Sequence, residues 1–596
     1  MKGPSSESFG MGTTGGAINL QQKTAHLKDT GSVDVSVGTG PMVRTTVDIN
    51  KQVNETTAAR AVGMYHDQDI VDRDHVFSDR WGFLGSLAFG LGTDTKFTLN
   101  YLHQENDRRP DYGVPFAYKP GATVGLPVTE FGVPRSNFYG KNTDKDESTV
   151  DMLTARLTAR VNPNLTFNND TRLEFFNRDF STTTALCAQL TCSVPFSLGL
   201  DPAYSFGAGG GSQYTQDSWG IQNISTAIAK FNTGHLRHEF VAGIDVYYQE
   251  DARLGKSYLP AKGPVGTIWN PDFNSDTYSI ADNPNNRKKA DATDFALFAS
   301  DRVWLSPQFS ILAGIRWDDY KANYAYTNTA TGVWNPEKSS ETRFFSPKVS
   351  LIWEPTKQQL YYASWATSAT PAGQYIINSA NPIGTGAGQE SLDPEENETY
   401  EIGAKYSLLG GKLGLTGALF RVDKSNAFYT DPLGNAVASG EKQRVQGVEL
   451  GMTGKLTDKW TVNIAYAYLD SEITFANTAA IIGNHVPGVP ENSGNIWTTY
   501  DVASLVNVPG QLIVGAGLTY AQDMYIRNDQ TTKVPVTLSF DSVISYEKDG
   551  WKFAVNGYNL TDELYYDAFF QGENSYSSRA IPAPGRTVIF SVGKKF

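Results

Sequence analysis

The stretch LTFNNDTRLEFF, residues 165–176, repeats with a period of two: Leu165, Phe167, Leu173 and Phe175 fall on one side of an extended chain, and Asn168, Asp170, Arg172 and Glu174 on the other. Successive side chains of a strand point to opposite faces, whereas a helix repeats every 3.6 residues, so this segment is a strand with one apolar and one charged face. Aromatic residues crowd the apolar face and charges the other, so its two faces meet different solvents.

The alternation continues in both directions. Val33, Val35 and Val37 oppose Asp34 and Ser36; Val43, Val47 and Ile49 oppose Arg44 and Asp48; Phe97, Leu99 and Tyr101 alternate with Thr98 and Asn100; Trp460, Val462, Ile464, Tyr466 and Tyr468 line up on one face. Helical spacing appears nowhere over a comparable length. A soluble sandwich or propeller would also alternate, but segments such as HLRHEFVAGIDVYYQEDAR, from His235, outrun the five or six residues usual in globular sheets. Long strands, a charged minor face and aromatic residues at the ends of the apolar face point to a membrane barrel with a lipid band and interfacial girdles.

Composition agrees. The 596 residues carry a net charge of -13, which excludes the clustered basic surface a nucleic-acid partner requires. No run of about 18 apolar residues is present, so there is no transmembrane helix. The mean hydropathy of -0.36 does not oppose a barrel, which hides its apolar residues at alternate positions. The opening MKGPSSES lacks the apolar core of a secretory signal and taken alone describes a cytoplasmic polypeptide.

The connections sharpen the topology. Short turns at residues 54–56, 92–95, 162–164, 232–234, 306–308, 355–358, 410–412, 457–459, 507–510 and 547–550 alternate with longer segments near 69–79, 103–146, 182–216, 254–290, 329–341, 370–397, 428–443, 474–490, 523–533 and 568–584. With a first hairpin at GTGP, residues 38–41, this gives ten short turns, eleven other connections and about 22 strands. An even strand number with short turns on one rim and long loops on the other is the topology of an outer-membrane barrel, and at that size the lumen is expected to be plugged. The last strand places Val588, Phe590, Val592 and the terminal Phe596 on one face, interrupted by Lys594, which can snorkel to the headgroups.

These residues resemble the TonB-dependent siderophore receptors of the Gram-negative outer membrane. The resemblance rests on LDPEENETYEIGAKYSLLGGKLGLTGALFRVDKSN from Leu392, QGVELGMTGKLTDKWTVNIAYAYLD from Gln446, NGYNLTDELYY from Asn556 and PGRTVIFSVGKKF from Pro584. It implies an all-β, roughly 22-stranded antiparallel barrel, residues 30–596, and no enzymatic chemistry. Consistent with that, the seven histidines show no H-E-x-x-H spacing and no G-x-S-x-G occurs. It also implies outer-membrane lipid around the barrel, a ferric siderophore as ligand, the iron carried as that complex with no covalently bound cofactor, and energy from the TonB complex. A plug-deficient passive pore or surface-binding barrel is the alternative. A haem receptor is a further one, weakened because residues 370–397 contain no histidine.

GMGTTGG, residues 10–16, contains a G-x-G-x-x-G, but no strand precedes it and no helix follows, as a dinucleotide site needs. KGPSSESFGMGTTGGAINLQQK is instead similar to the end of the family's plug domain, making residues 1–29 a C-terminal plug remnant and the chain N-terminally truncated relative to the family.

Ferric catecholates are anionic and aromatic, so cationic and aromatic loop residues suit them. The third loop, ENDRRPDYGVPFAYKPG, offers Arg108, Arg109, Tyr112, Phe116, Tyr118 and Lys119, and its RPDYGVP resembles receptors for simple catecholates. The competing expectation is that Arg109 and Asp111 pair with each other or with the wall. Secondary candidates are Lys256, Lys262, Arg287, Lys288, Lys289 and Arg579. Cys187 and Cys192, in ALCAQLTCS, have no second pair or histidine for zinc and are expected to form a disulfide in an oxidising exterior.

Overall fold

A computed structural model describes residues 10–12, 16, 18–206, 211–259, 265–274, 279–327, 331–371, 393–430, 436–572 and 575–596. Twenty-two antiparallel strands close into one barrel, each hydrogen-bonded to its sequence neighbour in the sheet. The seam joins the first strand, Thr30–Gly38, to the last, Thr587–Lys595, in the register Ser32 opposite Lys595 to Gly38 opposite Ile589. The 21 connections divide into ten on the short-turn rim and eleven on the other, with the 39–41 hairpin among the eleven.

The apolar face looks outward. Phe167, Phe175, Ile221, Val349, Leu351, Ile402 and Leu450 are all exposed to the membrane. Aromatic contacts mark its two edges: Trp353 stacks on both Phe309 and Tyr361 near the short turns, and Trp219 packs at a tilt on Tyr248 near the loops. Lys594 reaches back to the carbonyl of Asp549, 2.8 Å away, over the Trp551 ring, so its ammonium leaves the apolar band as a snorkelling lysine does.

Segments expected to be loops near 254–290 and 428–443 carry long extensions of their flanking strands: Leu236–Leu259 and Ser279–Trp304 reach into the first, Leu413–Thr430 and Ala436–Lys455 into the second. The 26-residue strand Ser279–Trp304 runs roughly 85 Å, far more than a tilted strand needs to cross a bilayer. Above the membrane the outer face of the hairpin no longer meets lipid. The ladder hydrogen bonds persist there while the apolar alternation that announces a strand is lost.

At the seam Gly31 and Phe596 exchange both backbone hydrogen bonds, 2.8 and 2.9 Å, and a Cβ on Gly31 would overlap the Phe596 ring. Gly31→Leu is therefore expected to destabilise closure by about 1–3 kcal/mol, the usual range for overpacking. The heat-modifiable gel mobility of the folded barrel should show the loss, and adding Phe596→Ala should reverse it. Unchanged mobility and melting of the single variant would refute this account.

Inside, residues 18–29 lie along the wall. Asn50 accepts from the His26 N–H and donates to the carbonyls of His26 and Lys28, the Ala25 N–H reaches Ser86 Oγ, and Arg60 donates to Thr24 O. Gly10 and Gly12 sit on the far wall, where the Gly12 N–H donates to Ala369 O at 3.0 Å. Both have positive φ, +90° and +77°, and a Cβ on Gly10 would approach the Arg316 guanidinium to 3.8 Å. The positive φ of both residues is what calls for glycine here, at turns against the wall.

Candidate ligand-binding site

Among the described residues, the loops 109–144, 182–206, 265–274, 522–536 and 559–586 pack on one another as a crown. The third, residues 109–144, supplies the strands Val114–Ala117 and Leu126–Pro127; the last, residues 559–586, supplies Tyr566–Phe570 and Arg579–Pro582; together they make a four-stranded sheet. Val114, Val128, Tyr139, Cys187, Tyr204 and Ile268 form an apolar core below it, and Phe116, Ile526, Val534, Tyr566 and Ala580 form a second. Each large side chain so buried contributes roughly 1.5–3 kcal/mol, which is why these long loops hold one arrangement. Cys187 and Cys192 are disulfide-bonded within the first core, their Cα atoms 5.0 Å apart.

The crown sets where the loop residues singled out from the sequence lie. Phe116 is fully buried in the second core. Arg109 is held between the rings of Phe77 and Phe273, 5.0 Å from each, and donates to His75 O. Asp111 pairs with Arg73 at 2.7 Å and not with Arg109. Tyr118 donates to Thr531 O and packs on Tyr576, while Lys119 is exposed beside Phe131. Of the six, Arg108 and Tyr112 reach one cluster of side chains on the inner wall, Arg108 through Asp146, which it shares with Arg178, and Tyr112 through Phe180, 6.3 Å between ring centres. Of the secondary candidates, Arg287, Lys288 and Lys289 are on the strand Ser279–Trp304, Lys256 pairs with Asp179, and Lys262 lies outside the described residues. So does most of the histidine-free segment 370–397, from residue 372 to 392.

The cluster is built by register. Arg108 stands opposite Asp146, Asp146 opposite Phe180, Phe180 opposite Tyr214; one step along, Gln216 stands opposite both Arg178 and Arg253, and Arg253 opposite Lys288. All these positions share the inward face, so five neighbouring strand pairs deliver one continuous belt. Asp146 binds Arg108 at 2.5 Å and Arg178 at 2.6 Å. The Arg178 guanidinium lies 4.1 Å from the Phe180 ring centre, and Arg253 lies 4.7 Å from that of Tyr214 while pairing with Asp251 at 3.2 Å. From above, Tyr112 stacks on Phe570 at 4.8 Å, with Arg579 5.6 Å from Phe570 and 6.0 Å from Tyr112.

Among the described residues, four guanidinium groups, Arg108, Arg178, Arg253 and Arg579, therefore face two carboxylates, Asp146 and Asp251, with Lys288 opposite Arg253. Burial pulls the Arg579 guanidinium down to about 10, so it stays charged at neutral pH, and its Nε has no hydrogen-bond partner. Burial likewise raises the Tyr112 phenol, keeping it neutral. Excess positive charge beside ring faces attracts flat, electron-rich anions. Arg178, Phe180, Tyr214 and Arg253 escaped the sequence reading because alternation assigns a face but not a height along the strand.

One crown group is pH-sensitive. Asp144 is buried and accepts hydrogen bonds from the Lys141 N–H and from the Thr183 N–H and Oγ; burial raises its carboxyl to about 6. A carboxyl raised in the docked state binds its proton more tightly there than when undocked. Docking of the fourth loop should thus strengthen as pH falls from about 6 toward 4 and weaken, by about 2–3 kcal/mol, as it rises through that window. Hydrogen exchange of residues 183–206, corrected for intrinsic rates, should show this dependence, and Asp144→Asn should abolish it. A variant with the same pH dependence would exclude Asp144 as its source.

Comparison with known proteins places this geometry. The family model described as TonB dependent receptor-like, beta-barrel matches residues 81–560. The chain is 29% identical to the probable TonB-dependent siderophore receptor PiuA of Acinetobacter baumannii, over 100% of this chain and 80% of the relative. It is 27% identical to the catecholate siderophore receptor Fiu of Escherichia coli over the same shares. The crystal structure of the Acinetobacter receptor superposes with a TM-score of 0.86 at 26% identity, covering 100% of this chain and 85% of that one.

Proposed function

We infer that this chain, which belongs to the TonB-dependent receptor β-barrel family and to the outer membrane, imports a ferric siderophore, which it binds at the cationic and aromatic cluster on the inner wall. The convergence of Arg108, Arg178, Arg253, Lys288 and Arg579 on the rings of Tyr112, Phe180 and Tyr214 carries this reading. A ferric catecholate is both anionic and aromatic, so catecholates are the favoured class, and the similarity to Fiu supports that choice. The protein supplies a pocket and no bond-making chemistry. Iron is cargo within the siderophore complex, and transport draws on the TonB complex acting on a plug whose last part is residues 1–29, with residues 30–596 as the barrel.

The test is growth under iron limitation on single purified siderophores, comparing a deletion strain with its complemented parent. Complementation restoring growth on a catecholate, lost again on deleting tonB, is the expected result. No difference with any siderophore would overturn the uptake reading, and growth that survives loss of TonB would favour a passive pore.

A further inference from the structure

The belt does not stop at Arg108. From Arg178 the same inward row runs back across the strands through Ser148, Asn106, Arg80 and His66 to Arg44, each standing opposite the next. Asn106 donates to Ser148 Oγ at 3.2 Å and accepts from Gln104 at 2.7 Å, so these residues form an uncharged bridge. Beyond it the row ends in two arginines with a histidine between them. Their sequence neighbours Val43, Tyr65 and Trp81 are exposed on the outer surface, so by alternation Arg44, His66 and Arg80 face the lumen.

These two arginines differ from those around them. Arg108 and Arg178 share Asp146, Arg253 holds Asp251, and lower on the two strands that carry Arg44 and His66, Arg60 pairs with Asp48 at 2.7 Å. Among the described residues neither Arg44 nor Arg80 makes an ion pair or a hydrogen bond, and the Arg80 Nε is buried without an acceptor. His66 is 3% exposed; Gln68, two residues along the same face, can satisfy one ring nitrogen, and the other has no partner. Arg80 feels the charges of both Arg44 and Arg108, and like charges on neighbouring strands oppose one another unless an anion joins them. Facing residues on adjacent strands are about 4.5–5.5 Å apart at Cα, so the two guanidiniums and the imidazole gather on one small patch of wall. Both arginines are half-buried, which leaves their N–H groups reachable from the lumen. The guanidinium fork matches the oxygens of a carboxylate or phosphate, and an imidazole N–H adds a further donor.

We propose that Arg44, His66 and Arg80 form an oxyanion-binding site on the inner wall, which takes a carboxylate or phosphate group. Resting on the importer reading, the group is a carboxylate that the cargo carries outside its iron-chelating rings and extends past Arg108. Within the catecholate class this favours siderophores with a free carboxylate.

The first probe is inorganic phosphate, titrated calorimetrically into the full chain in detergent, with sodium chloride at equal ionic strength as the control. Saturable binding is expected in the native chain and also in Arg178→Gln, Arg253→Gln, where the belt no longer contributes. Adding Arg44→Gln and Arg80→Gln should weaken it at least tenfold in either background, and Arg80→Lys, which keeps the charge without the fork, should weaken it less. Neither arginine is bonded to the rest of the fold, so gel mobility and melting should be unchanged; a lower melting temperature would assign the pair to the fold instead. The second probe compares the ferric complexes of 3,4-dihydroxybenzoate and of catechol by tryptophan quenching, and Arg44→Gln, Arg80→Gln should weaken only the first. No saturable phosphate binding, or binding that these variants leave unaltered, would overturn the site. Phosphate binding with both ferric complexes unaffected would remove the cargo carboxylate and leave the free ion as occupant. The two readings fail separately: phosphate binding without uptake of any ferric siderophore removes the importer, and uptake without phosphate binding removes the oxyanion site.

Discussion

The double variant Arg178→Gln, Arg253→Gln is expected to bind a ferric catecholate on the order of a hundredfold more weakly than the native chain. Each guanidinium is placed to offer a charge-assisted hydrogen bond or a ring contact worth about 1.5–3 kcal/mol, and a factor of ten in affinity is about 1.4 kcal/mol. Folding should survive, because Asp146 keeps Arg108 at 2.5 Å and Asp251 keeps Gln216 and Ser218 Oγ, the latter at 2.7 Å. Arg178→Lys separates charge from shape: it retains the cation but loses the flat face that lies 4.1 Å from Phe180, so about a tenfold loss is expected. Quenching of intrinsic tryptophan fluorescence by the ferric complex reads the affinity. Native affinity in the double variant would show that the belt is not where the ligand binds.

Arg73→Ala should have the largest effect on the crown. The Arg73 side chain is 1% exposed and ties the second loop to the third: Nε donates to Asp111 Oδ2 at 2.7 Å, and Nη1 to the carbonyls of Asn137, at 3.0 Å, and Arg135. Removing one partner of a buried ion pair commonly costs about 3–5 kcal/mol, because the other charge stays desolvated. Here the abandoned groups are Asp111 and two carbonyls at the hinge of the loop that carries Tyr112. The expected outcome is protease cleavage within residues 109–144 of a barrel that otherwise runs as folded, together with loss of ligand binding. Arg73→Lys, which restores the charge without the second donor geometry, should recover only part of the resistance. Native protease resistance in Arg73→Ala would mean that the apolar cores alone hold the crown.

Much of the barrel is legible without coordinates because its cause is local. The alternation of Leu165 and Phe167 with Asn168 and Asp170 reports two solvents on two faces, and each tight turn reports a rim. What the residues could not announce is height. Lys288 reads from the sequence as part of a long loop that begins just after Arg253, because beyond the bilayer the lipid no longer imposes alternation, yet the two stand directly opposite one another on paired strands. The loop residues show the complementary failure. RRPDYGVPFAYK has the composition of a ligand-binding loop, but Pro115 and Phe116 pass into a sheet shared with the last loop, where Ala580 opposes Val114 and Arg579 opposes Pro115.

The sequence by itself determined a closed outer-membrane barrel of about 22 strands, its lipid-facing side, and the glycine-rich segment at Gly10 as something other than a nucleotide loop, since each follows from period, turn spacing or immediate neighbours. Only the tertiary structure decided which cations meet. Arg108, Arg178, Arg253 and Lys288 come together through strand register, and Arg579 joins Tyr112 through the docking of two loops at opposite ends of the barrel sequence. Both are long-range pairings, and no local property of the chain encodes them.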